Sequence, residues 1–546
     1  MKGETKMTKK IFALLLAFTM VLGMAACGAS EPAPAATEAP VVQDKAPTAD
    51  ADAPKEEANP YAEKMEISAT TYYSLFNTTH PGDYKEDEYY QYIADKFNIE
   101  LDIWMTEYPG STETQRTWIT TGTMPDHLWW HGFTTGEYAA YVDQGLLKPL
   151  PADWEERWPN LAKAAKKSGL YEVLYGVDGT AYGIPHAAVG NYFDVEQRVH
   201  HQSIYFRKDW ADAIGMSDLY ADYKITLAEV KEYATKVKEA GLCNNSYWGG
   251  YDTGFVKMWH GAYGLEYPEV EFYKDDTGYH WLGNQEGLVE MIKEMQSWYK
   301  DGYVHPEIGT ILYSEYMSMF GSGLLPVLNT DGNMATVQNL ANMLKETYPD
   351  KDPYDLFAVA TITTEDGTPY ESGVFNYWGV TVFAPETSDE KLERILDMME
   401  YTATKEGQAE RQLGYYGTDW TIDENGVVTV INPGVTKDAF GIFNTMVWTT
   451  DDFEFSGYDP TKDPRAAEMI LGVHDAKFSG HISFTGGEYA AHNTDVKNNY
   501  PASLVRQGIL NIAFNDKDVE TSWAQFIEDN RGVWEPLEKE LNETYN

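Results

Sequence analysis

The chain has 546 residues, with 86 Asp and Glu against 41 Lys and Arg, a formal net charge of −45 and only two cysteines. This length predicts at least two large lobes with ample core. The acidity excludes nucleic acid and anionic membrane surfaces as partners, because both require a basic face. Two cysteines exclude a disulfide scaffold and a cysteine-rich metal site.

The first segment has the pattern of an export signal. Two lysines precede an uncharged, apolar run from Ile11 to Ala26, as in a signal peptide, and the run is shorter than the roughly 20 residues of a spanning helix. It ends in the letters MAAC, which resemble a bacterial lipobox. We predict that residues 1–26 are a lipoprotein signal peptide and that Cys27 is lipidated. An ordinary signal peptide cut near Ala26 is the alternative.

Residues 27–60 are rich in Pro, Ala and acidic residues and nearly free of large apolar side chains. Such a segment buries too little surface to fold, so we predict a flexible tether behind the lipidated cysteine. Anchor and tether together place the protein on the outer face of the cytoplasmic membrane, lipid-anchored and extracellular. The second cysteine, Cys243, has no visible base beside it, and we expect a buried structural thiol.

The region 65–131 alternates between strand and helix patterns. Met65–Tyr73 and Ile99–Met105 have strand character, Glu86–Phe97 and Thr112–Thr121 have helical spacing, and Leu128–Trp130 is a further apolar strand. The order β-α-β-α-β predicts a parallel sheet with helices on its faces. Ligands of such sheets bind beyond the carboxyl ends of the strands. Residues that follow the first and third strands are therefore candidate site residues.

Later elements follow the same logic. Thr226 and Glu229 form a capping-box pattern before a helix, and Thr387 and Glu390 repeat the pattern before another. A further helix is predicted around 288–299. Apolar pieces at 324–328, 357–360 and 374–383 have strand character, and 420–431 has the pattern of a hairpin with an Asn-Gly turn.

No signature of catalysis or cofactor binding is present. The sequence has no GxSxG, HExxH, Walker A or GxGxxG pattern. The histidine spacings fit strands rather than a helical metal pair. We therefore predict no catalytic residues, no metal and no cofactor.

Aromatic residues lie beside amides, acids and histidines at several predicted strand ends. Sugar rings present apolar C–H faces that pack on Trp and Tyr, while their hydroxyls need polar partners. Core packing is the competing interpretation for each aromatic residue. The candidate ligand-binding residues are Tyr73, Asn77, Trp129, Trp130, His131, Asn191, Tyr192, Trp248, Tyr251, Trp259, Asp331, Asn333 and Trp378.

Several segments in order resemble one family. MPDHLWW at 124–130 and QGLLKPL at 144–150 are similar to the "PD-strand … GLL-PL" stretch of family 1 extracellular solute-binding proteins, to which the maltose-binding protein belongs. GTAYGIP at 179–185 with IYFRKDW at 204–210 resembles their crossover segment, and 320–329 resembles their "F-G-AM" strand and turn. The resemblance spans about residues 65–540.

The resemblance implies an α/β, two-lobed periplasmic-binding-protein-like fold of type II. Each lobe is a mostly parallel sheet flanked by helices, and a hinge joins the discontinuous lobes. It implies chain crossings near 198–206, 372–378 and 415–440, with lobe 1 at 61–200 plus about 376–430 and lobe 2 at 201–375 plus about 431–546.

The resemblance also places site residues. Trp129, Trp130 and His131 would face the cleft from lobe 1, Asn191 and Tyr192 would approach it before the first crossing, and Trp378 would lie at the second. Asp331 and Asn333 would face it from lobe 2. Trp248, Tyr251 and Trp259 rest on composition, and Tyr73 and Asn77 on the end of the first strand. Arg207 is expected to pair with an acid near the hinge.

The resemblance implies that the protein captures a carbohydrate, an oligosaccharide above all, in an interlobe cleft. It implies delivery of this ligand to the permease subunits of an ABC transporter. The protein is expected to be a monomer. Two other classes remain open. One is a surface-anchored glycan hydrolase, which needs only two carboxylates. The other is a receptor for peptides or other solutes.

Overall fold

The computed structural model describes most of the chain beyond residue 60. The described residues are 61–72, 84–86, 88–106, 111–130, 132–168, 170, 174, 179–186, 198–199, 201–268, 270–308, 310–311, 313–374, 377, 379–404, 407, 410, 413–422, 428–432, 463–483, 488–489, 492 and 494–545.

The described strands, in chain order, are β1 (Met65–Tyr72), β2 (Ile99–Thr106), β3 (His127–Trp130), β4 (Gly183–His186), β5 (Arg198–Val199), β6 (Gln202–Phe206), β7 (Lys224–Thr226), β8 (Trp248–Gly250), β9 (Phe272–Asp275), β10 (Gly278–Trp281), β11 (Val327–Asp331), β12 (Ala358–Thr363), β13 (Tyr370–Val374), β14 (Gly379–Phe383), β15 (Trp420–Ile422), β16 (Val428–Val430) and β17 (His481–Ser483).

The described α-helices are α1 (Glu88–Phe97), α2 (Ser111–Thr121), α3 (Thr135–Asp143), α4 (Trp154–Arg157), α5 (Pro159–Lys166), α6 (Lys208–Ala213), α7 (Leu227–Glu239), α8 (Asp252–Ala262), α9 (Leu288–Lys300), α10 (Tyr313–Gly321), α11 (Met334–Thr347), α12 (Asp389–Ala403), α13 (Pro464–Phe478), α14 (Asp495–Asn498), α15 (Leu504–Ala513), α16 (Val519–Asp529) and α17 (Arg531–Tyr545).

Lobe 1 is built on a five-stranded sheet with the order β2-β1-β3-β14-β4. β1 is parallel to β2 and β3, whereas β14 is antiparallel to both β3 and β4. The carboxyl ends of β1 to β4 therefore share one edge, at which β14 begins. The predicted β-α-β-α-β order of 65–131 is confirmed.

Helices cover both faces of this sheet. Ile67, Leu101 and Ile184 pack with residues of α1, α5 and α12 on one face. Leu128 and Val380 pack with residues of α2 and α3 on the other. Alternate residues of a strand point to opposite faces, so both sides of each central strand are buried.

Lobe 2 repeats the layered arrangement with the strand order β7-β12-β6-β11-β8. β6 is antiparallel to β11 and β12, β8 is parallel to β11, and β7 is parallel to β12. The carboxyl ends of β7, β8, β11 and β12 thus share an edge with the start of β6. One face packs on α7, α8, α9 and α15, and the other on α10, α11 and α13.

A third sheet, with the order β17-β13-β5, joins the lobes. β4 of lobe 1 is followed by β5 and then by β6 of lobe 2. β12 of lobe 2 is followed by β13 and then by β14 of lobe 1. These two connections run side by side, since Val199 pairs with Gly373 in an antiparallel ladder. The third crossing, expected near 415–440, lies partly outside the described residues and stays a prediction.

Local sequence signals account for several boundaries. Thr226 and Glu229 form the predicted capping box of α7. The prediction at Thr387 was wrong by one residue: Ser388 caps α12, and the Thr387 hydroxyl donates to Asp126 at 3.0 Å. The apolar piece 374–383 is also not one strand, because β13 ends in the third sheet and β14 begins in lobe 1.

In lobe 2 the expected pairing of Arg207 with an acid and the buried Cys243 thiol are both seen, but Arg207 follows the carboxyl end of β6, away from the third sheet, and not near the hinge. Arg207 is fully buried and donates to both carboxylate oxygens of Asp209, each at 2.9 Å, with its guanidinium over the rings of Trp210 and Tyr348. Cys243 is a buried free thiol.

Candidate functional site

In both lobes, the edge of the large sheet that faces the third sheet is the edge at which the parallel strands end. In lobe 1 this edge carries the carboxyl ends of β1 to β4, and in lobe 2 it carries those of β8, β11 and β12. Both connections leave and enter the lobes at these edges. Carboxyl ends of parallel strands next to a reversed strand are where open α/β sheets bind ligands, so the space between the edges is the candidate site.

The lobes also touch beside this space. Lys497 of α14 donates from Nζ to the Thr135 hydroxyl of α3 at 3.4 Å, and to the backbone carbonyl of His492 at 2.6 Å. Burial lowers the pKa of Lys497 to about 8. A Cβ added at Gly136 would meet the Asn498 side chain at 2.3 Å. A larger residue there would require the Asn498 side chain to move.

The structure places Trp130 in the core rather than at the cleft. Its side chain is fully buried and stacks on Tyr141 with ring centroids 5.4 Å apart, while Phe133 lies at 5.5 Å. The physical reason is that β3 lies in the middle of a sheet covered on both faces. Trp129 points to the opposite face, is 5% exposed and stacks on His186 at 5.7 Å.

Trp248 and Trp259 are also core residues. The Trp248 indole is buried and donates to Asn329 Oδ1 at 2.9 Å, and Trp259 is fully buried with Trp298 at 5.2 Å. Composition alone could not separate these rings from a sugar platform. Tyr251 differs, since it directly follows β8 and is only partly buried.

Asp331 and Asn333 have different roles at the end of β11. Asp331 is partly exposed, and its Oδ1 lies 3.0 Å from His201 Nε2. Asn333 is buried and caps α11, accepting from the Thr336 N–H at 2.8 Å. A Cβ at the intervening Gly332 would lie 2.7 Å from the backbone carbonyl oxygen of His201, which cannot rotate away as a side chain can, so the turn requires glycine.

Six of the predicted site residues and the lipidation site lie outside the described residues. They are Tyr73, Asn77, His131, Asn191, Tyr192, Trp378 and Cys27. Their assignments stay predictions.

The structure brings other residues to the same edges that the sequence did not single out. His201, Asp252 and Arg506 lie at the edge of lobe 2, where Arg506 NH1 is 3.8 Å from Asp252 Oδ1. Partly buried Phe133 and Tyr377 lie at the edge of lobe 1, with ring centroids 6.0 Å apart. Asp252 next to Tyr251 was a usable signal, but nothing in the sequence joins it to Arg506.

A buried polar cluster lies beneath the edge of lobe 1. The Thr381 hydroxyl contacts His186 Nε2 and lies 3.5 Å from His127 Nε2. Burial lowers the pKa of His186 well below its usual value, and the neighbouring His127 lowers it further. His186 is therefore a neutral hydrogen-bonding group at physiological pH.

A groove of about 630 Å³ opens on lobe 1 beside Met65, Asp126 and Lys391. It lies at the amino end of β1, opposite the candidate site. Its Asp126 carboxylate is already held by the backbone N–H of Ser68 at 2.9 Å and by Lys391 at 3.1 Å. Contacts within the protein therefore account for these polar residues of the groove without a ligand.

Within the described part of the chain, no group of three or more His, Cys, Asp or Glu side chains is placed to hold a metal ion. No described helix combines the length and apolar character needed to cross a membrane.

No family model matches the chain, and no curated protein matches its sequence. Solved structures do match. The alginate-binding protein AlgQ2 without calcium superposes with a TM-score of 0.64 at 14% identity, covering 88% of this chain and 98% of that chain. The Streptococcus pneumoniae ABC-transporter substrate-binding protein FusA, in complex with kestose, superposes with a TM-score of 0.61 at 13% identity, covering 88% of this chain and 99% of that chain.

An extracellular solute-binding protein from Bifidobacterium longum subsp. infantis gives a TM-score of 0.60 at 12% identity, with 88% of this chain and 98% of that chain covered. At such identities the likeness establishes the fold. The chain has the two-lobed α/β fold of these solute-binding proteins, as the sequence predicted.

Proposed function

We propose that this chain is a family 1 extracellular solute-binding protein that captures an oligosaccharide between its lobes and delivers it to an ABC transporter. The observation that carries the proposal is the fold likeness, over 88% of the chain, to an alginate-binding protein and to an ABC-transporter substrate-binding protein solved in complex with kestose. The polar edge of lobe 2 and the aromatic pair at the edge of lobe 1 are the groups such a ligand needs.

The mechanism is binding coupled to closure of the lobes about the third sheet. A ligand shifts the equilibrium toward the closed form only by its contacts with both lobes at once. Asp331, His201 and Tyr251 supply polar and aromatic contacts from lobe 2. Phe133 and Tyr377 supply ring faces from lobe 1.

The lipid anchor belongs to the same proposal. Cys27 carries the lipid, palmitate included, and residues 28–60 tether the lobes to the outer face of the cytoplasmic membrane. The protein acts as a monomer and without enzymatic activity, and it passes its ligand to permease subunits. Labelling of Cys27 with a fatty-acid analogue, lost in Cys27→Ser, tests the anchor.

The functional test is a panel of oligosaccharides scored by thermal shift and calorimetry. Kestose, β-1,4-mannotriose, cellotriose and α-1,4-galactotriose represent different backbones. A ligand present at 100 times its Kd stabilises the protein by about 2.7 kcal/mol, which is a readable shift. Binding without product supports the proposal. Chromatographic detection of shortened sugars would instead establish a hydrolase, and a response only to peptides would establish a peptide receptor.

A further inference from the structure

Three neighbouring strands of lobe 2 bring polar side chains to the candidate site. His201 precedes β6, Asp331 ends β11 and Asp252 follows β8, and these three strands are adjacent in the sheet. Neighbouring strands are roughly 4.8 Å apart, so one sugar unit can reach all three side chains. They are partly exposed, by 15%, 25% and 33% respectively.

These side chains form two ion pairs. His201 Nε2 lies 3.0 Å from Asp331 Oδ1, and Arg506 NH1 lies 3.8 Å from Asp252 Oδ1. Arg506 Nε is buried and has no acceptor among the described residues, so only the terminal nitrogens of this guanidinium are counted toward the edge. A carboxylate accepts up to about four hydrogen bonds. Each of the two carboxylates therefore lies beside one cationic or imidazole donor and keeps capacity to accept hydrogen bonds from a ligand.

The charges of this set never sum to a positive value. Two carboxylates face one guanidinium and one imidazole, so the formal sum is −1 with neutral His201 and zero with protonated His201. Within this set of four described side chains, the permanent cation, Arg506, already lies beside a carboxylate. An anionic ligand group would have to displace Asp252 from Arg506 while standing next to Asp331.

From this arrangement we infer that the site selects neutral, hydroxyl-rich sugars and discriminates against sugars that carry carboxylates. The inference rests on the proposed function and specifies its ligand class. A sugar hydroxyl donates to a carboxylate and accepts from the guanidinium or imidazole at the same time. A sugar carboxylate can only accept, and it adds a like charge beside two acids.

The experiment compares sugars that differ only at C6. Calorimetry on the full chain uses β-1,4-mannotriose against β-1,4-trimannuronate, cellotriose against its triglucuronate, and α-1,4-galactotriose against trigalacturonate, with kestose as a further neutral probe. The expected result is binding of a neutral sugar and at least tenfold weaker binding of its carboxylated counterpart. Binding of kestose, with no carboxylated sugar bound, also supports the inference.

Salt separates the local effect from the charge of the whole chain. The net charge of −45 repels every anion, but roughly 0.5 M salt shortens the screening length to about 4 Å. The discrimination should persist at this salt concentration because the carboxylates are in the site. Its disappearance there would overturn the inference.

Asp331→Asn removes one carboxylate and keeps a hydrogen-bonding side chain. It should shrink the ratio between the neutral and carboxylated affinities at least threefold. The matched control is Asp516→Asn, an exposed acid beyond the far end of α15, which should leave the ratio unchanged. Melting of each ligand-free variant confirms that it is folded.

The outcomes separate the two proposals. A carboxylated sugar that binds as tightly as its neutral counterpart, or an unchanged ratio in folded Asp331→Asn, overturns the inference while sugar binding stands. Failure of every sugar, neutral and carboxylated, overturns the proposed function and the inference with it.

Discussion

Replacing Trp130 by alanine is expected to destabilise the ligand-free protein. The indole is fully buried and packs between Tyr141 and Phe133, with ring centroids at 5.4 and 5.5 Å. Its position at the end of a strand suggested a ligand platform. Its surroundings are those of a core residue instead.

The magnitude follows from burial. A buried tryptophan removes roughly 200 Å² from water, which corresponds to about 5 kcal/mol at about 25 cal/mol per Å². A compact unfolded state already hides part of this surface, which lowers the figure to about 4 kcal/mol. Trp130 Nε1 has no acceptor among the described residues. Removing this unsatisfied buried donor stabilises the variant by about 1 kcal/mol, which offsets part of the loss. The expected loss is about 3 kcal/mol.

Urea unfolding followed by circular dichroism measures this loss as a lower midpoint at unchanged slope. The control is Tyr416→Ala, because this aromatic side chain is 49% exposed, and its cost should stay within about 1 kcal/mol. The reasoning is refuted if Trp130→Ala unfolds at the same urea concentration as the parent and yet binds oligosaccharide tenfold more weakly. That result would put the ring in the site.

Three further predictions concern buried polar groups. Asn329→Leu leaves the Trp248 indole N–H and the backbone carbonyl of Tyr251 without their partner. It should lower the free energy of unfolding in urea by about 2–4 kcal/mol, whereas an unchanged urea midpoint would contradict the pairing. Lys477→Met leaves buried Glu371 without its cation 3.6 Å away and should cost about 3–5 kcal/mol; adding Glu371→Gln should restore most of it, and an additive double variant would argue against a coupled pair. His186 stays neutral in the folded state while the unfolded chain protonates below about pH 6.5, so stability is fully present above that pH and falls as pH drops. His186→Gln should flatten this fall by up to about 1.4 kcal/mol per pH unit, and an unchanged pH profile of the melting temperature would contradict the burial argument.

Much of lobe 1 could be predicted because its elements carry local signals. The periodicity over 65–131 predicts the correct element order, and a capping box predicts the start of α7. The apolar run 374–383 has the pattern of one strand, because hydrophobicity does not show which sheet a residue joins. The run is divided between two sheets because Gly373 pairs with Val199. This pairing is a tertiary contact between residues far apart in the chain.

The candidate site was predictable in part. Asp331 is the last residue of a buried strand, and its place at the edge follows from that position. The tryptophans of β3 carry the same signal and Trp248 of β8 was proposed from composition, yet both sheets are covered on both faces, so the rings fill cores. The contact of Asp252 with Arg506 joins residues far apart in the chain, and no local sequence pattern predicts it.

The pairing of β5 with β13 limits how the lobes can move. Two separate linkers would allow sliding, twisting and bending to vary independently. Hydrogen bonds between Val199 and Gly373 bind two of the connections between the lobes into one ribbon, so a torsion in either strand is imposed on the other. Opening and closing should then follow a single coordinate, and a donor–acceptor dye pair, one on each lobe, should relax with one exponential phase.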